Sequence, residues 1–438
     1  MNDQDTVGRP AVTATGDTPE AGTGADTSRP AVSSGAFITG LIAAQCLSFA
    51  AVFTPILVSL SLRVSELEPQ HKTASLSRVL AVGAVLALIA NPLFGALSDR
   101  TTSRFGRRRP WLLAGALVAA LGTLLCGTAG SIGTLTVGWA VTQLGANAVY
   151  AALLATIPDR VPEHLQGRVS GAVGMTLYVA MVLGTVLAQP LLHHTLLLFL
   201  VPGLLGLAGV AALVWLMRDD APADRTALPP FRFGAFLRSF WVSPRRHPDF
   251  AWNFCGRFLM FCGISTMTGY QFYFAVDRLG QSVTEASSTV AVAAVVTMAG
   301  TVVGSLAGGW LSDRTGRRKV FVFAAALISV VGLALTAYAG TTASFCVAVA
   351  VFSLGLGSYM AVDTALAIGV LPDRAQAAKD LGVLNIGNTL PQSLIPAVAP
   401  VLLGIGSAAG TNYGALYLFG SACALAGAFA IHFVRAVR

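Results

Sequence analysis

The chain has 438 residues, 55% of them hydrophobic and only 11% charged, with a mean hydropathy of +0.71. A water-soluble domain carries about 25% charged residues, so a chain this apolar cannot clothe a water-exposed surface, and lipid must be most of its solvent. The net charge of +8 is then a signal of membrane topology, and no nucleic-acid partner is expected.

Residues 1–34 are rich in Thr, Gly, Ala, Asp and Pro and nearly free of large apolar side chains. Such a segment cannot bury enough surface to offset its ordering entropy, and a disordered, retained N-terminal tail is predicted. From there the apolar runs are long enough for membrane-spanning helices, which need about 20 residues each. Twelve are predicted, near 36–61, 76–97, 110–129, 133–156, 169–190, 195–217, 249–275, 285–310, 320–339, 343–370, 381–403 and 412–433. The stretch 218–248 links two sets of six. It breaks at Pro229-Pro230 and continues with Phe231, Phe233, Phe236, Leu237, Phe240 and Trp241 among arginines. An interfacial amphipathic helix and an ordinary linker with aromatic anchors both fit it. The expected class is therefore an all-α membrane protein with two bundles of six helices, over 35–217 and 249–438.

The two sets are related by an internal repeat. Gly95-Ala96-Leu97-Ser98-Asp99-Arg100 returns as Gly309-Trp310-Leu311-Ser312-Asp313-Arg314, with Asp99 and Asp313 separated by 214 positions. Ile157-Pro158-Asp159-Arg160 returns at the same separation as Leu371-Pro372-Asp373-Arg374. Two different motifs at one spacing mark tandem homologous halves. Basic residues crowd the loops after spans 2, 4, 6, 8 and 10, from Arg100, Arg104 and Arg107 to Arg317, Arg318 and Lys379, while the other side has Arg63, Lys72, Arg78 and Arg278. That asymmetry predicts a multi-pass protein of the plasma (inner) membrane with both termini in the cytoplasm.

The six cysteines, Cys46, Cys126, Cys255, Cys262, Cys346 and Cys423, lie in apolar runs without a CxxC or a Cys/His cluster. Neither a disulfide framework nor a metal site is indicated. No nucleotide loop or nucleophile triad is present, so neither an enzyme nor a cofactor is expected.

The repeated loop, continuing as Asp313-Arg314-Thr315-Gly316-Arg317-Arg318, resembles the signature loop of the major facilitator superfamily. Its glycine allows close helix packing, its aspartate suits a helix N-terminus, and its arginines stay at the cytoplasmic surface. The resemblance implies a conformational latch made of Gly95, Asp99, Arg100, Gly106 and Arg107 in the first copy and Gly309, Asp313, Arg314, Gly316 and Arg317 in the second. The first copy, Asp99-Arg100-Thr101-Thr102-Ser103-Arg104-Phe105-Gly106, reaches its glycine four residues later. This longer form, with Pro158-Asp159-Arg160-Val161-Pro162 and Lys379-Asp380-Leu381-Gly382-Val383-Leu384-Asn385, resembles the sucrose/proton symporter-like, glycoside-type branch and its bacterial relatives. A small-molecule substrate, protons and membrane lipids are the implied partners, and a monomer is expected.

Ionisable residues inside a membrane are costly and mark functional sites by default. Arg257 in span 7 and Asp363 in span 10 both lie about eight residues from the basic end, roughly 12 Å deep at the helical rise per residue. The family fold puts both spans at a central cavity, so a pair is predicted. Shifting by 214 takes them to Ala43 and Val149, so the first half carries neither charge. A coupling site and a static ion pair remain open. Span 1 has no acidic residue, a departure from sucrose symporters that leaves Asp363 as the core carboxylate. Asn385, Asn388 and Gln392 share one face of span 11, facing substrate or satisfying backbone groups freed by Pro391 and Pro396. Tyr270, Gln271 and Tyr273 in span 7, Gln143, Asn147 and Tyr150 in span 4, and Gln45 in span 1 complete the substrate-binding candidates.

The expectation is a secondary active transporter using alternating access, with proton-coupled symport of a sugar or glycoside as the leading version. A proton-driven exporter of a drug or natural product is the alternative. A membrane sensor without flux is the different-class rival.

Overall fold

The computed structural model describes residues 35–217, 244–369, 377–407 and 411–434. The tail over 1–34, most of the linker over 218–248 and the tetrad Leu371-Pro372-Asp373-Arg374 lie outside the described residues. Among those described there are twelve long helices and no strand. They are α1 (Gly35–Leu67), α2 (Lys72–Asp99), α3 (Arg109–Gly127), α4 (Ile132–Arg160), α5 (Glu163–Ala188), α6 (Thr195–Leu216), α7 (Pro248–Asp277), α8 (Val283–Thr315), α9 (Arg318–Tyr338), α10 (Thr342–Gly369), α11 (Ala377–Gly404) and α12 (Tyr413–His432). Eleven of these contain stretches long and apolar enough to cross a membrane. The exception is α7, which at 30 residues is long enough but carries Asp249, Asn253, Arg257 and Gln271. Asn253 and Gln271 are buried and the Arg257 side chain is only 11% exposed, so its polarity is turned away from lipid.

Local chemistry explains the helix ends that matter here. Ser131 and Ser282 open α4 and α8 as capping boxes, their hydroxyls accepting from the Thr134 and Glu285 amides at 3.2 and 3.3 Å. Gly316 closes α8 in the left-handed region, at φ +66°, and Gly106 precedes α3 at φ +88°. Both repeated loops thus reach their next helix through a glycine that any side chain would strain.

Helices α1–α6 pack among themselves through α1·α6, α1·α5, α2·α4 and α3·α4, and α7–α12 do so through α7·α12, α8·α10, α9·α10 and α9·α12. The sets meet through α2·α11 and α5·α8. One continuous apolar core runs through the second set and reaches the first at the end away from the arginine-rich loops. There Leu57, Leu76, Val79 and Phe199 share it with Met267, Tyr270 and Phe272. At the basic end the first set keeps a separate core around Leu41, Leu112, Val149 and Leu153.

The packing also corrects the register of the repeat. An added Cβ at Gly122 would lie 2.3 Å from the Thr142 nitrogen, and one at Gly145 would lie 2.3 Å from the Ala119 nitrogen. The matching contacts in the second half are Gly332 on Phe352 and Gly355 on Ser329, at 2.3 and 2.5 Å. These pairs recur after 210 positions. Gly95 against Ala151 and Gly309 against Ala361 keep 214 for α2 and α8 but 210 for α4 and α10. The four extra residues before Gly106 account for the slip. In packing, Asp363 therefore corresponds to Leu153 and not to Val149. The position is apolar in either register, so the charge remains specific to the second half.

Candidate functional site

The buried centre lies between α7 and α10. Arg257 Nε and Asp363 Oδ2 are 3.1 Å apart, with side chains 11% and 0% exposed. The sequence-predicted pair is thus formed. One turn away on the same helix faces stand Asn253, before Arg257, and Tyr359, before Asp363. Both are fully buried and adjoin the Asp363 carboxylate. Sequence reading missed these two. The signal that finds them is the four-residue spacing to a buried charge, which places each on the same helical face.

The end opposite the basic loops is a seam of polar contacts between the two sets. Lys72 at the start of α2 meets Asp277 at the end of α7, Nζ to Oδ1 2.5 Å. The Lys72 ammonium also lies 5.1 Å from the centre of the Tyr273 ring. Tyr273 donates to the Ser61 carbonyl at 2.9 Å and accepts from the Ser65 hydroxyl at 3.3 Å. The Tyr270 and Ser77 hydroxyls are 2.8 Å apart. Gln189 on the segment after α5 donates to the Ser287 hydroxyl at 3.0 Å and accepts from the Ser288 hydroxyl at 3.3 Å. These hydrogen bonds and the Lys72–Asp277 pair tie the two sets together at this end.

At the basic end the first loop closes on itself. Arg108 pairs with Asp99 at 2.6 Å and with Asp159 at 2.8 Å, and donates to the Ser98 hydroxyl at 2.9 Å. Arg108 is buried whereas the predicted Arg107 is exposed. Arg100 donates to the Ala96 carbonyl of its own helix at 3.2 Å. In the second copy Asp313 and Arg317 are exposed, and the Arg314 guanidinium lies 5.3 Å from the centre of the Trp310 ring. Gly95 and Gly309 each face a neighbouring helix at ordinary contact distance. The aspartate contacts of the first loop therefore stay within its own half in this conformation.

The predicted substrate-binding residues fall into three groups. Tyr270 and Tyr273 are committed to the seam, with Gln271 buried between them. Asn147 donates to the Gln143 carbonyl at 2.9 Å, the Tyr150 ring lies 5.4 Å from Phe49, and Gln45 is buried with both amide atoms unpartnered. On α11, Asn385 and Gln392 are exposed and Asn388 is half-buried, with Asn388 donating to Asn385 at 3.4 Å. Among the described residues no hydrogen bond joins these groups to one another. No cluster able to hold a metal is found among them either.

Comparisons with known proteins agree with this architecture. The sequence profile of the Major Facilitator Superfamily matches residues 36–306 and 279–438. A sucrose transport protein of Arabidopsis thaliana is 40% identical over 70 residues, covering 16% of this chain and 13% of that protein. The human proton-associated sugar transporter A is 51% identical over 49 residues, covering 11% of this chain and 7% of that protein. The chain thus matches only a small fraction of the length of these curated relatives. Among solved structures, a D-xylose-proton symporter superposes with a TM-score of 0.70 at 14% identity, covering 91% of this chain and 97% of that one. The nucleoside transporter NupG superposes with a TM-score of 0.69 at 13% identity, covering 91% and 98%. With the profile matching nearly its whole length, the chain belongs to the Major Facilitator Superfamily of membrane transporters.

Proposed function

We propose that this protein is a secondary active transporter of the plasma membrane that carries a sugar or glycoside-like solute together with protons by alternating access. It works as a monomer, with both termini and the arginine-rich loops in the cytoplasm. The observation that carries the reading is the Arg257–Asp363 pair, a carboxylate with no exposure held 3.1 Å from a guanidinium inside an apolar transporter fold. A buried ion pair is weak evidence of stability, because desolvation offsets its Coulomb energy; a carboxylate that gains and loses a proton during the cycle gives it a purpose. The polar seam and the separate basic-end core support a cytoplasm-open state, in which the two halves rock as bodies over 35–217 and 249–438 about a fixed middle. The loops at Asp99 and Asp313 then serve as latches that engage when the cytoplasmic side closes. The amides of α11, costly if turned to lipid, suit the wall of an aqueous path for a hydroxylated solute. The local similarity to sucrose and proton-associated sugar transporters supports the solute class.

Uptake of a labelled carbohydrate panel into proteoliposomes, with and without an inward proton gradient, tests this. Uptake of at least one sugar or glycoside stimulated by the gradient is expected. Gradient-driven movement of apolar drug-like compounds without carbohydrate flux would replace the reading with export. Absence of any flux would replace it with sensing.

A further inference from the structure

Asn253 and Arg257 stand one turn apart on α7, and Tyr359 and Asp363 one turn apart on α10, so two pairs at i and i+4 face each other. Around Asp363 the polar groups outnumber the hydrogen bonds. Neither carboxylate oxygen accepts a well-formed hydrogen bond, and Arg257 Nε, although 3.1 Å away, is not aligned as a donor. Both amide atoms of Asn253 and the hydroxyl of Tyr359 are also without a partner, at 1% and 0% exposure. Buried polar groups are seldom left in this condition because each forfeits its hydration. Four residues doing so at one point leave donors and acceptors free to rearrange around the carboxylate. Arg257 is the only charge facing the carboxylate among the described residues, and α8 and α9 bring no other. At the equivalent first-half positions, Thr39, Ala43, Val149 and Leu153, no group can ionise.

We propose that Asn253 and Tyr359 are positioning residues that serve Asp363 in alternation, one set of contacts for its ionised form and another for its protonated form. The proposal rests on the reading that Asp363 carries the transported proton. An ionised carboxylate only accepts hydrogen bonds, whereas a protonated one must also donate. Arg257 can only donate, so it cannot serve the protonated form's hydroxyl. Tyr359 donates its O–H to the ionised carboxylate, joined by the Asn253 amide through Nδ2–H. When water at the open end delivers a proton to one carboxylate oxygen, the new O–H donates to Asn253 Oδ1 after the amide turns over. The same proton returns to water on the other side, and the amide turns back. Asn253 is thereby an adaptor whose two ends match the two states of its neighbour.

Infrared difference spectroscopy on the full-length protein in proteoliposomes, taken between high and low pH, reads both forms without a transported solute. The band pair that vanishes in Asp363→Asn identifies the residue. Tyr359→Phe is expected to shift the carboxylate stretch while leaving the protonated C=O band nearly in place. Asn253→Leu is expected to shift the protonated C=O band to higher frequency, and Asn253→Ser to return it towards its original position. Thermal unfolding of the conservative variants Tyr359→Phe and Asn253→Ser checks that the fold is kept. A band pair that titrates but is unmoved by all three substitutions would overturn the positioning role alone. No Asp363-dependent band pair at all would overturn both the positioning role and the proton-carrier reading.

Discussion

Lys72 and Asp277 meet across the seam between the two helix sets at 2.5 Å, and the Tyr413 hydroxyl donates to the second oxygen of the same carboxylate at 2.6 Å. Tyr413 belongs to the same half as Asp277, so opening the seam separates Lys72 alone and leaves the carboxylate partnered. Both charged side chains retain some exposure, 23% and 13%, and an ion pair with access to solvent contributes about 0–1 kcal/mol. The seam is thus held by several modest contacts, an arrangement that can close firmly and still reopen.

Charge reversal tests the seam. Lys72→Asp places two carboxylates together and is expected to bias the protein towards opening at this end. A cysteine introduced at Ser65 should then label severalfold faster with a membrane-impermeant thiol reagent. Combining it with Asp277→Lys should bring labelling back towards the original rate. Unchanged labelling in the single variant would remove the pair from the gate.

The basic-end loop separates two adjacent arginines. Arg108→Ala removes the shared partner of Asp99, Asp159 and Ser98 and is expected to lower thermal stability by several degrees. Arg107→Ala, at an exposed position, should leave it almost unchanged. Asp99→Asn should preserve folding while lowering transport and favouring the cytoplasm-open state. Accessibility labelling that shows no such shift counts against a latch.

The α11 amides form a third test. With the six native cysteines replaced, single cysteines at Asn385, Asn388 and Gln392 should react with a water-soluble thiol reagent, and a transported solute should slow that reaction. Protection of all three in every conformational state would remove them from the aqueous path.

Removing one member of a buried pair strands a charge and costs about 3–5 kcal/mol, while removing both can be nearly neutral. Arg257→Ala and Asp363→Asn are therefore each expected to abolish gradient-driven uptake. Arg257→Ala is also expected to lower stability, and Asp363→Asn to preserve solute exchange. Arg257→Ala combined with Asp363→Ala should recover stability but not driven uptake. Driven uptake in that double variant would reduce the pair to a structural element.

Much of this architecture is legible in one dimension. Apolar runs of membrane length, the repeat at Asp99 and Asp313, and the isolated Arg257 and Asp363 are local or periodic signals. The glycine spacing in the two loops is legible too, since Gly106 and Gly316 occupy backbone conformations that select glycine. The candidate site was less so. Tyr270 and Tyr273 have the composition of a sugar-binding surface, yet their hydroxyls are spent across the seam on Ser77, Ser61 and Ser65.

The sequence alone determined that the chain is a tandem pair of helix bundles for a lipid solvent, because hydropathy and repeat spacing act along the chain. Only the tertiary structure decided that Arg108 and not Arg107 is buried, that Asp363 packs in the register of Leu153, and that Asn253 and Tyr359 bracket the carboxylate. The first depends on how the turn before α3 aims its side chains, and the other two on how a helix is rotated about its axis against a neighbour. One residue turns a side chain by about 100°, and that rotation is set by the close approach of small residues such as Gly145 and Gly355 to the facing helix, a relation between distant segments that no local pattern contains.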